Sequence, residues 1–228
     1  GISDANAIPD APDEAVLHIG TDYQAAMLDY DIVFKSPGIV LKPEYQPDQL
    51  KCRVTSLTEL FLSAYRAQCI GITGTKGKST TSSLLYHVLH EAGVPAVLGG
   101  NIGIPTAELY EQITPETVIV MEIGVHQLEY NHISPKTAVF LNLYEEHLDH
   151  YGTFAYYAYC KENIYRNQLP DDLLICGEPS LPAAGVCQAE VLRLAKNDTS
   201  ADVSLLNGRT MYFCGESCEI PEDISLTG

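Results

Sequence analysis

A glycine-rich segment carries the strongest chemical signal in the sequence. It reads Gly71-Ile-Thr-Gly-Thr-Lys-Gly-Lys-Ser-Thr-Thr81 and lies between a short apolar run and an amphipathic stretch. Glycines let backbone N–H groups approach an anion closely, and the start of a helix adds its positive dipole end. Lys78 would reach the terminal phosphates of a nucleotide, and the Ser79 hydroxyl would hold Mg²⁺. The segment therefore predicts a phosphate-binding loop, against the alternative of an ordinary glycine-rich turn.

Four polar residues outside this loop are further candidates for chemistry. Asn101 follows two glycines after a predicted strand, Glu122 ends an apolar run, His147 stands among acids, and Lys161 lies in a Tyr-rich stretch. A carboxylate at the carboxyl end of a strand beside a phosphate loop is placed to hold Mg²⁺. The residue types alone leave simpler alternatives open: a turn, a surface acid, a surface histidine and a helix-surface lysine.

Short apolar runs and helical spacing predict the elements that would position these residues. Predicted buried strands cover 16–19, 31–34, 69–72, 94–98, 117–121, 137–141 and 172–176. Predicted helices run from Ser56 to about Arg66, from Ser79 to Gly93, and over 153–167. The second has an apolar stripe of Leu84, Leu85, Val88, Leu89 and Ala92. Residues 1–14 are rich in Pro and Asp and predict a loose start. The alternation of strand and helix predicts an α/β fold with a mostly parallel sheet.

Two turn signals add detail to this fold. Asn207-Gly208 between apolar runs predicts a β-hairpin near the C-terminus. Ser36-Pro37-Gly38 after the second predicted strand is typical of a turn, because Pro restricts φ and Gly frees it.

Composition limits the classes of partner. The 228 residues carry 30 acidic and 13 basic side chains, a formal net charge of −17, which argues against nucleic acid. No apolar run approaches the roughly 20 residues of a membrane helix, so we expect no membrane partner. The seven cysteines form no CxxC pair, and Cys214 and Cys218 lack a second pair for a zinc site. Free thiols favour a reducing, cytoplasmic location, and we expect a monomer.

Several of these segments resemble the Mur ligase family. Gly74-Thr-Lys-Gly-Lys-Ser-Thr80 is similar to the family's Gly-Thr-x-Gly-Lys-[Ser/Thr]-Thr loop, whereas the common phosphate loop would need a glycine where Ile72 stands. The segments Ser36-Pro-Gly and Gly99-Gly-Asn-Ile-Gly103 resemble those of the family's D-glutamate-adding branch.

Three further segments match the family with departures. Residues 122–129 resemble Glu-Ser-Ser-Phe-Gln-Leu-Glu, but Gly124, Val125 and His126 replace part of it. Residues 142–149 resemble Asn-x-x-x-Asp-His-x-Asp, with Glu146 in place of the first Asp. The surroundings of Lys161 look like the family's Ala-Lys-x-x-Ile.

The resemblance implies a role for each matching residue. ATP would be bound by Gly74, Thr75, Lys76, Gly77, Lys78, Ser79 and Thr80. Two Mg²⁺ ions would be held by Ser79, Glu122, His147 and Lys161, the lysine being carbamylated by CO₂ in the family. Ser36, Pro37, Gly38, Asn101 and His147 would contact the substrate. Lys78, His147 and Lys161 would serve catalysis.

The resemblance also implies an activity and a domain plan. The activity is ATP-dependent addition of D-glutamate to UDP-N-acetylmuramoyl-L-alanine through an acyl phosphate, a step of peptidoglycan precursor synthesis. Residues 1–66 would be part of a Rossmann-like, UDP-substrate-binding domain, and residues 67–228 the central ATP-binding domain. By the same resemblance the amino-acid-binding C-terminal domain would lie outside this sequence, so we expect the stretch to be inactive alone. Alternatives are another ligase of the superfamily, such as a folylpolyglutamate type, a regulatory ATPase, or a non-catalytic nucleotide-binding module.

Overall fold

The computed structural model describes residues 1–178 and 180–221, and the chain divides into two compact units. One unit is Gly1–Leu57, and the other begins at Thr58. The boundary between the units therefore lies at the first residue of helix α1 (Leu57–Tyr65), whereas we predicted a boundary after that helix. The reason is that Phe61 and Leu62 of α1 are fully buried in the core of the second unit.

The first unit contains two small parallel sheets. Strand β1 (Ile2–Asp4) pairs with β2 (Leu17–Ile19), and β3 (Ile32–Phe34) pairs with β4 (Arg53–Thr55). The prediction of a loose start was wrong at β1. The predicted burial of β2 and β3 was also wrong, because both end residues of each strand have exposed side chains. A two-stranded sheet has too few neighbours to cover both of its faces.

A large sheet forms the frame of the second unit. Its strands are β5 (Cys69–Thr73), β6 (Ala96–Gly100), β7 (Val118–Glu122), β8 (Thr137–Phe140), β9 (Leu173–Gly177), β10 (Glu190–Lys196), β11 (Val203–Leu206), β12 (Thr210–Phe213) and β13 (Glu216–Glu219). The helices after α1 are α2 (Lys78–Glu91), α3 (Val125–Leu128), α4 (Leu148–Tyr151) and α5 (Phe154–Glu162). The strand order is β13-β12-β11-β10-β9-β8-β5-β7-β6. Neighbours are parallel from β6 across to β11, which confirms the predicted mostly parallel α/β fold.

The centre of this sheet is where a ligand crevice is expected. Strand β5 lies between β7 and β8, so the chain runs from β5 to β6 and β7 on one side and then crosses to β8 on the other. Ligands of open α/β sheets bind outside the carboxyl ends of the strands at such a reversal. The register pairs Ile72 with Glu122 and Thr73 with Phe140, so the segments that follow these three strands share one edge. The strands themselves are buried, with Ile72, Ile119 and Met121 fully covered.

Several boundaries and faces differ from the predictions. Strand β6 starts two residues later than predicted and includes Gly99 and Gly100, and the helix predicted over 153–167 ends at Glu162. The apolar stripe of α2 is only partly buried. Leu84 and Val88 are 57% and 55% exposed, so burial was wrongly predicted there, while Leu85 and Leu89 are half-buried.

The C-terminal part of the sheet contains one confirmed and two unpredicted features. The hairpin of β11 and β12 is confirmed, and its turn residues Asn207 and Gly208 both have positive φ, as a tight hairpin requires. Strands β10 and β13 were not predicted, because their sequences mix charged and apolar residues without a clear period. No helix within the described ranges is long and apolar enough to cross a membrane.

Candidate active site

The predicted phosphate loop joins β5 to α2 at the central edge of the sheet. Gly77, the residue before α2, has φ of 83°, a left-handed conformation that glycine adopts without strain. Gly74 and Thr75 are buried, whereas Lys76, Ser79 and Thr80 are exposed at the start of the helix. A 14-residue helix beginning at an exposed glycine-rich turn presents free N–H groups and a positive dipole end to an anion.

Lys78 and Asn142 shape this loop from either side. The Lys78 ammonium donates hydrogen bonds to the backbone oxygens of Gly74 and Thr75 at 3.0 and 3.1 Å. The Asn142 side chain accepts a hydrogen bond from Lys76 N at 2.8 Å and donates one to Lys76 O at 2.9 Å. The backbone carbonyl of Asn142 accepts from Thr75 N. The sequence indicated no role for Asn142, whose hydrogen bonds hold the conformation of the loop.

Glu122 lies at the end of β7 and is 1% exposed. One carboxylate oxygen accepts from the Asn101 side-chain amide at 2.9 Å. The other oxygen is buried and meets no hydrogen-bond partner among the described residues. A buried carboxylate oxygen without a partner is costly unless a cation or donor satisfies it, which fits a Mg²⁺ ligand.

The glycines before Asn101 allow this contact. Gly100 pairs with Glu122 across β6 and β7, at a φ of 101°. A Cβ atom at Gly100 would stand 2.2 Å from the Glu122 backbone oxygen. Only glycine therefore permits the close approach that brings Asn101 beside Glu122.

His147 and Glu146 follow β8 on the other side of the loop. His147 has φ of 56°, an uncommon conformation for a non-glycine residue and one that concentrates at functional sites. Glu146 forms an ion pair with Lys76 of the loop at 2.6 Å, and this hydrogen bond lowers the pKa of Glu146. The acid that replaces the family's Asp is thus tied to the phosphate loop.

Lys161 reaches the loop from α5. Its side chain is 1% exposed, and its Nζ donates to the Gly74 backbone oxygen at 2.8 Å. Burial, reinforced by the nearby positive charge of Lys78 and opposed by Glu146, lowers the pKa of Lys161 to about 7. The alternative of a helix-surface lysine is therefore wrong.

Tyr157, which the sequence did not indicate, lies between Thr75, Lys161 and His147. Its hydroxyl lies 3.2 Å from Thr75 Oγ1, its ring lies 5.1 Å from Lys161 Nζ, and the His147 ring is 6.5 Å away. The available signal was spacing, because residues four apart on a helix share a face. Tyr157 and Lys161 are both fully buried on one side of α5.

The predicted metal residues do not form a ready-made cage. No cluster of three or more His, Cys, Asp or Glu side chains in the described ranges is arranged to hold a metal ion. This includes Cys214 and Cys218, which are exposed free thiols. Mg²⁺ in nucleotide sites takes one or two carboxylates plus phosphate and water oxygens. The unpaired oxygen of Glu122 near the loop edge fits that manner of binding.

The predicted substrate residues of the first unit lie in a turn. Ile39 N donates to Ser36 O at 3.3 Å across Pro37 and Gly38. Ser36 lines a cavity of about 480 Å³ within that unit, whereas Pro37 and Gly38 do not line it. Lys35, which is buried, lines the same cavity.

The fold and this edge of the sheet define an α/β domain built around a glycine-rich loop of the kind that binds phosphate. Residues 72–203 match the sequence profile of the Mur ligase middle domain. The chain therefore belongs to the Mur ligase family. It is 36% identical over 161 residues to the UDP-N-acetylmuramoylalanine–D-glutamate ligase of Clostridium kluyveri, covering 70% of this chain and 35% of that protein.

Other relatives agree with this assignment. The enzyme of the same name from Clostridium botulinum strain Loch Maree is 29% identical over 217 residues, 93% of this chain and 47% of that protein. The chain thus spans between about a third and a half of the length of these relatives. The solved MurF ligase of Thermotoga maritima, in complex with ADP, has a TM-score of 0.53 at 19% identity. The match covers 72% of this chain and 42% of the MurF chain, and it shows that the two folds are alike.

Proposed function

We propose that the natural protein is an ATP-dependent ligase that joins D-glutamate to UDP-N-acetylmuramoyl-L-alanine in peptidoglycan precursor synthesis. The names of the relatives support the substrates, and the phosphate loop supports the nucleotide. The observation that carries the proposal is the contact of buried Lys161 with Gly74 of the loop. This contact supports the proposed role of Lys161, because it joins the side chain to the loop that would bind the phosphates.

The loop and its neighbours would bind the triphosphate. Backbone N–H groups of residues 74–80 and the Lys78 ammonium neutralise phosphate charge, and phosphoryl transfer depends chiefly on such positioning and electrostatics. Ser79 and Glu122 would hold one Mg²⁺, and His147 with Lys161 a second. Bound Mg²⁺ supplies charge neutralisation and alignment of the phosphate with the substrate carboxylate.

The lowered pKa of Lys161 supports carbamylation of this residue. A pKa of about 7 leaves much of the side chain as the neutral amine at physiological pH. The amine nitrogen attacks CO₂, a C–N bond forms, and one proton leaves to water. The product carries anionic oxygens in place of an ammonium, and oxygen is the ligand that Mg²⁺ prefers.

The chemistry then proceeds in two displacements on the substrate. A carboxylate oxygen of the muramoyl-alanine attacks the γ-phosphorus, the bond to ADP breaks, and an acyl phosphate forms. The amine of D-glutamate attacks the acyl carbon, inorganic phosphate leaves with the bonding electrons, and an amide results. The side chain of Asn101, held by Glu122, would contact the muramoyl-alanine.

The domain plan follows the same proposal. The first unit and its Ser36-Pro37-Gly38 turn would belong to the UDP-substrate domain, and the second unit would be the central ATP-binding domain. The amino acid would be held by a part of the protein outside this sequence.

The test is phosphate release by the full natural protein given ATP, UDP-N-acetylmuramoyl-L-alanine and D-glutamate. We expect release to need both substrates and to fall on the order of 100-fold in Lys161→Ala. Added bicarbonate should not restore the variant. Lys136→Ala removes an exposed lysine and should match the wild type.

The outcomes separate the alternatives. Turnover with a different amino acid would indicate another ligase of the family. ATP hydrolysis that ignores the muramoyl substrate would indicate a regulatory ATPase. Binding of the muramoyl substrate without turnover would indicate a non-catalytic module.

A further inference from the structure

Two short helices bring three histidines into contact beside the candidate active site. His126 lies on α3, His147 precedes α4, and His150 lies on α4. The ring centroids of His126 and His147 are 5.0 Å apart at 73°, and those of His126 and His150 are 4.7 Å apart at 84°. These are edge-to-face contacts, in which the positive edge of one ring meets the face of the next. We call Glu129, His150, His126 and His147 the histidine column.

The inner end of the column is anchored in the protein. Both carboxylate oxygens of Glu129 lie 3.3 Å from His150 Nε2. The two side chains are only 5% and 8% exposed. An imidazole bonded to a buried carboxylate is held in one ring orientation.

The outer end of the column is His147, whose Nε2 lies 3.8 Å from a Glu146 carboxylate oxygen, beyond hydrogen-bond distance. Its side chain is 45% exposed. Its backbone oxygen accepts from His150 N and Tyr151 N, both at 3.0 Å, which fixes the backbone but not the ring. The ring contacts are with His126 and, at 6.5 Å, with Tyr157.

The column does not resemble a metal cage. The described residues hold no cluster of three His, Cys, Asp or Glu side chains arranged for a metal, although three histidines are adjacent here. Packed ring edges and faces point instead to mechanical support of one imidazole by the others.

We propose that His126 and His150 are positioning residues that hold the imidazole of His147 in its working orientation. The proposal rests on the proposed role of His147 at the phosphate loop. His150 is held by Glu129, His126 packs on His150, and His147 packs on His126. Loss of either inner ring frees the His147 side chain to rotate.

The experiment uses the full natural protein with ¹⁵N-labelled histidine. We expect the His147 ring signals in His126→Ala and His150→Ala to move toward those of an exposed histidine. His87, exposed on α2, supplies the reference signal, and His87→Ala is the matched control. His126→Phe keeps an aromatic ring and should retain most of the wild-type behaviour.

Turnover supplies the second readout. We expect His126→Ala to lower kcat about tenfold while the KM for ATP changes less than about twofold. In a His147→Ala background the same substitution should cause no further loss, because coupled residues do not add. His150→Gln, which can still donate to Glu129, replaces His150→Ala if that variant does not fold.

The failures are distinguishable. Unchanged His147 signals in His126→Ala, or an equal loss in the His147→Ala background, would overturn the positioning role. A wild-type protein without ligase turnover would instead overturn the proposed function. A fully active His147→Ala would overturn the proposed role of His147. In both cases the ring signals would still decide whether His126 and His150 support the His147 ring.

Discussion

Lys161 illustrates how burial changes the chemistry of a single side chain. The ammonium form is disfavoured because α5 places the group inside the protein, beside Lys78. The neutral amine is the form that reacts with CO₂, so the property that would serve function is the same one that costs stability.

This gives a pH dependence of stability with a defined sign. The unfolded chain keeps the Lys161 proton up to its ordinary pKa of 10.5, whereas the folded chain loses it above about 7. Between these values the unfolded state binds more protons, so the free energy of unfolding should rise with pH. Relative to Lys161→Met, the slope should reach at most about 1.4 kcal/mol per pH unit. Urea denaturation in CO₂-free buffer at several pH values in this window measures it.

The control is Lys136→Met, which removes an exposed lysine and should follow the wild type across the window. Parallel curves for the wild type and Lys161→Met would mean that Lys161 keeps its proton throughout. The proposed carbamylation would then lose its physical basis.

Among the strands, the carboxyl ends of β6 and β7 lie so close together that a side chain at Gly100 would not fit between them. Gly100 faces the backbone of Glu122 directly, and the Asn101 N–H donates to the Glu122 carbonyl at 2.9 Å. The two strand ends therefore act as one platform that carries an amide and a carboxylate. Its position depends on the absence of a Cβ atom at Gly100.

Gly100→Ala should disrupt this platform. The new Cβ would stand 2.2 Å from the Glu122 oxygen, so the strand ends must separate. Gly93→Ala is the matched control, because Gly93 also has positive φ but no heavy atom within 4 Å of its Cβ position. We expect the control to cost about 1–2 kcal/mol from backbone strain alone, and Gly100→Ala to cost clearly more. Urea denaturation of both variants measures the difference, and equal losses would show that the strand ends adjust freely.

Helix α5 shows how one element positions several groups at once. It begins after Thr153, whose side chain accepts a hydrogen bond from Tyr156 N at 3.2 Å. Tyr157 and Lys161, one turn apart, then face the same buried side toward the phosphate loop. A small rotation of α5 would therefore move both residues away from Gly74 and Thr75.

At the scale of the whole molecule, the excess of acidic residues sets a further property. The formal net charge of −17 produces repulsion among the acidic side chains in the folded chain. Raising the ionic strength from about 0.01 to about 0.15 M shortens the Debye length from about 30 to about 8 Å. We expect the melting temperature to rise over this range and then to level off.

Thermal denaturation followed by circular dichroism in NaCl and in KCl measures this effect. The two salts should act alike, because screening depends on ionic strength and not on the identity of a monovalent ion. A melting temperature that falls with added salt would mean that favourable ion pairs, such as Lys76–Glu146, outweigh the repulsion.

Features that depend on neighbouring residues could be predicted from the sequence. The strand, glycine-rich loop and helix around Lys78 lie within a few residues of one another, so local spacing predicts them. The same holds for the Asn207-Gly208 hairpin and for the apolar runs of the central strands. From these the mostly parallel α/β fold followed.

The packing of the folded chain was needed to show which distant side chains meet and which faces are covered. The contacts of Tyr157 with the loop and of His126 with His147 depend on how α3, α4 and α5 pack beside the sheet. The contact of Asn142 with Lys76 depends on the pairing of β5 with β8. The exposure of Leu84 and Val88 depends likewise on what covers α2. Local patterns record the period of an element but not its neighbours, because packing is settled by contacts between residues far apart in the chain.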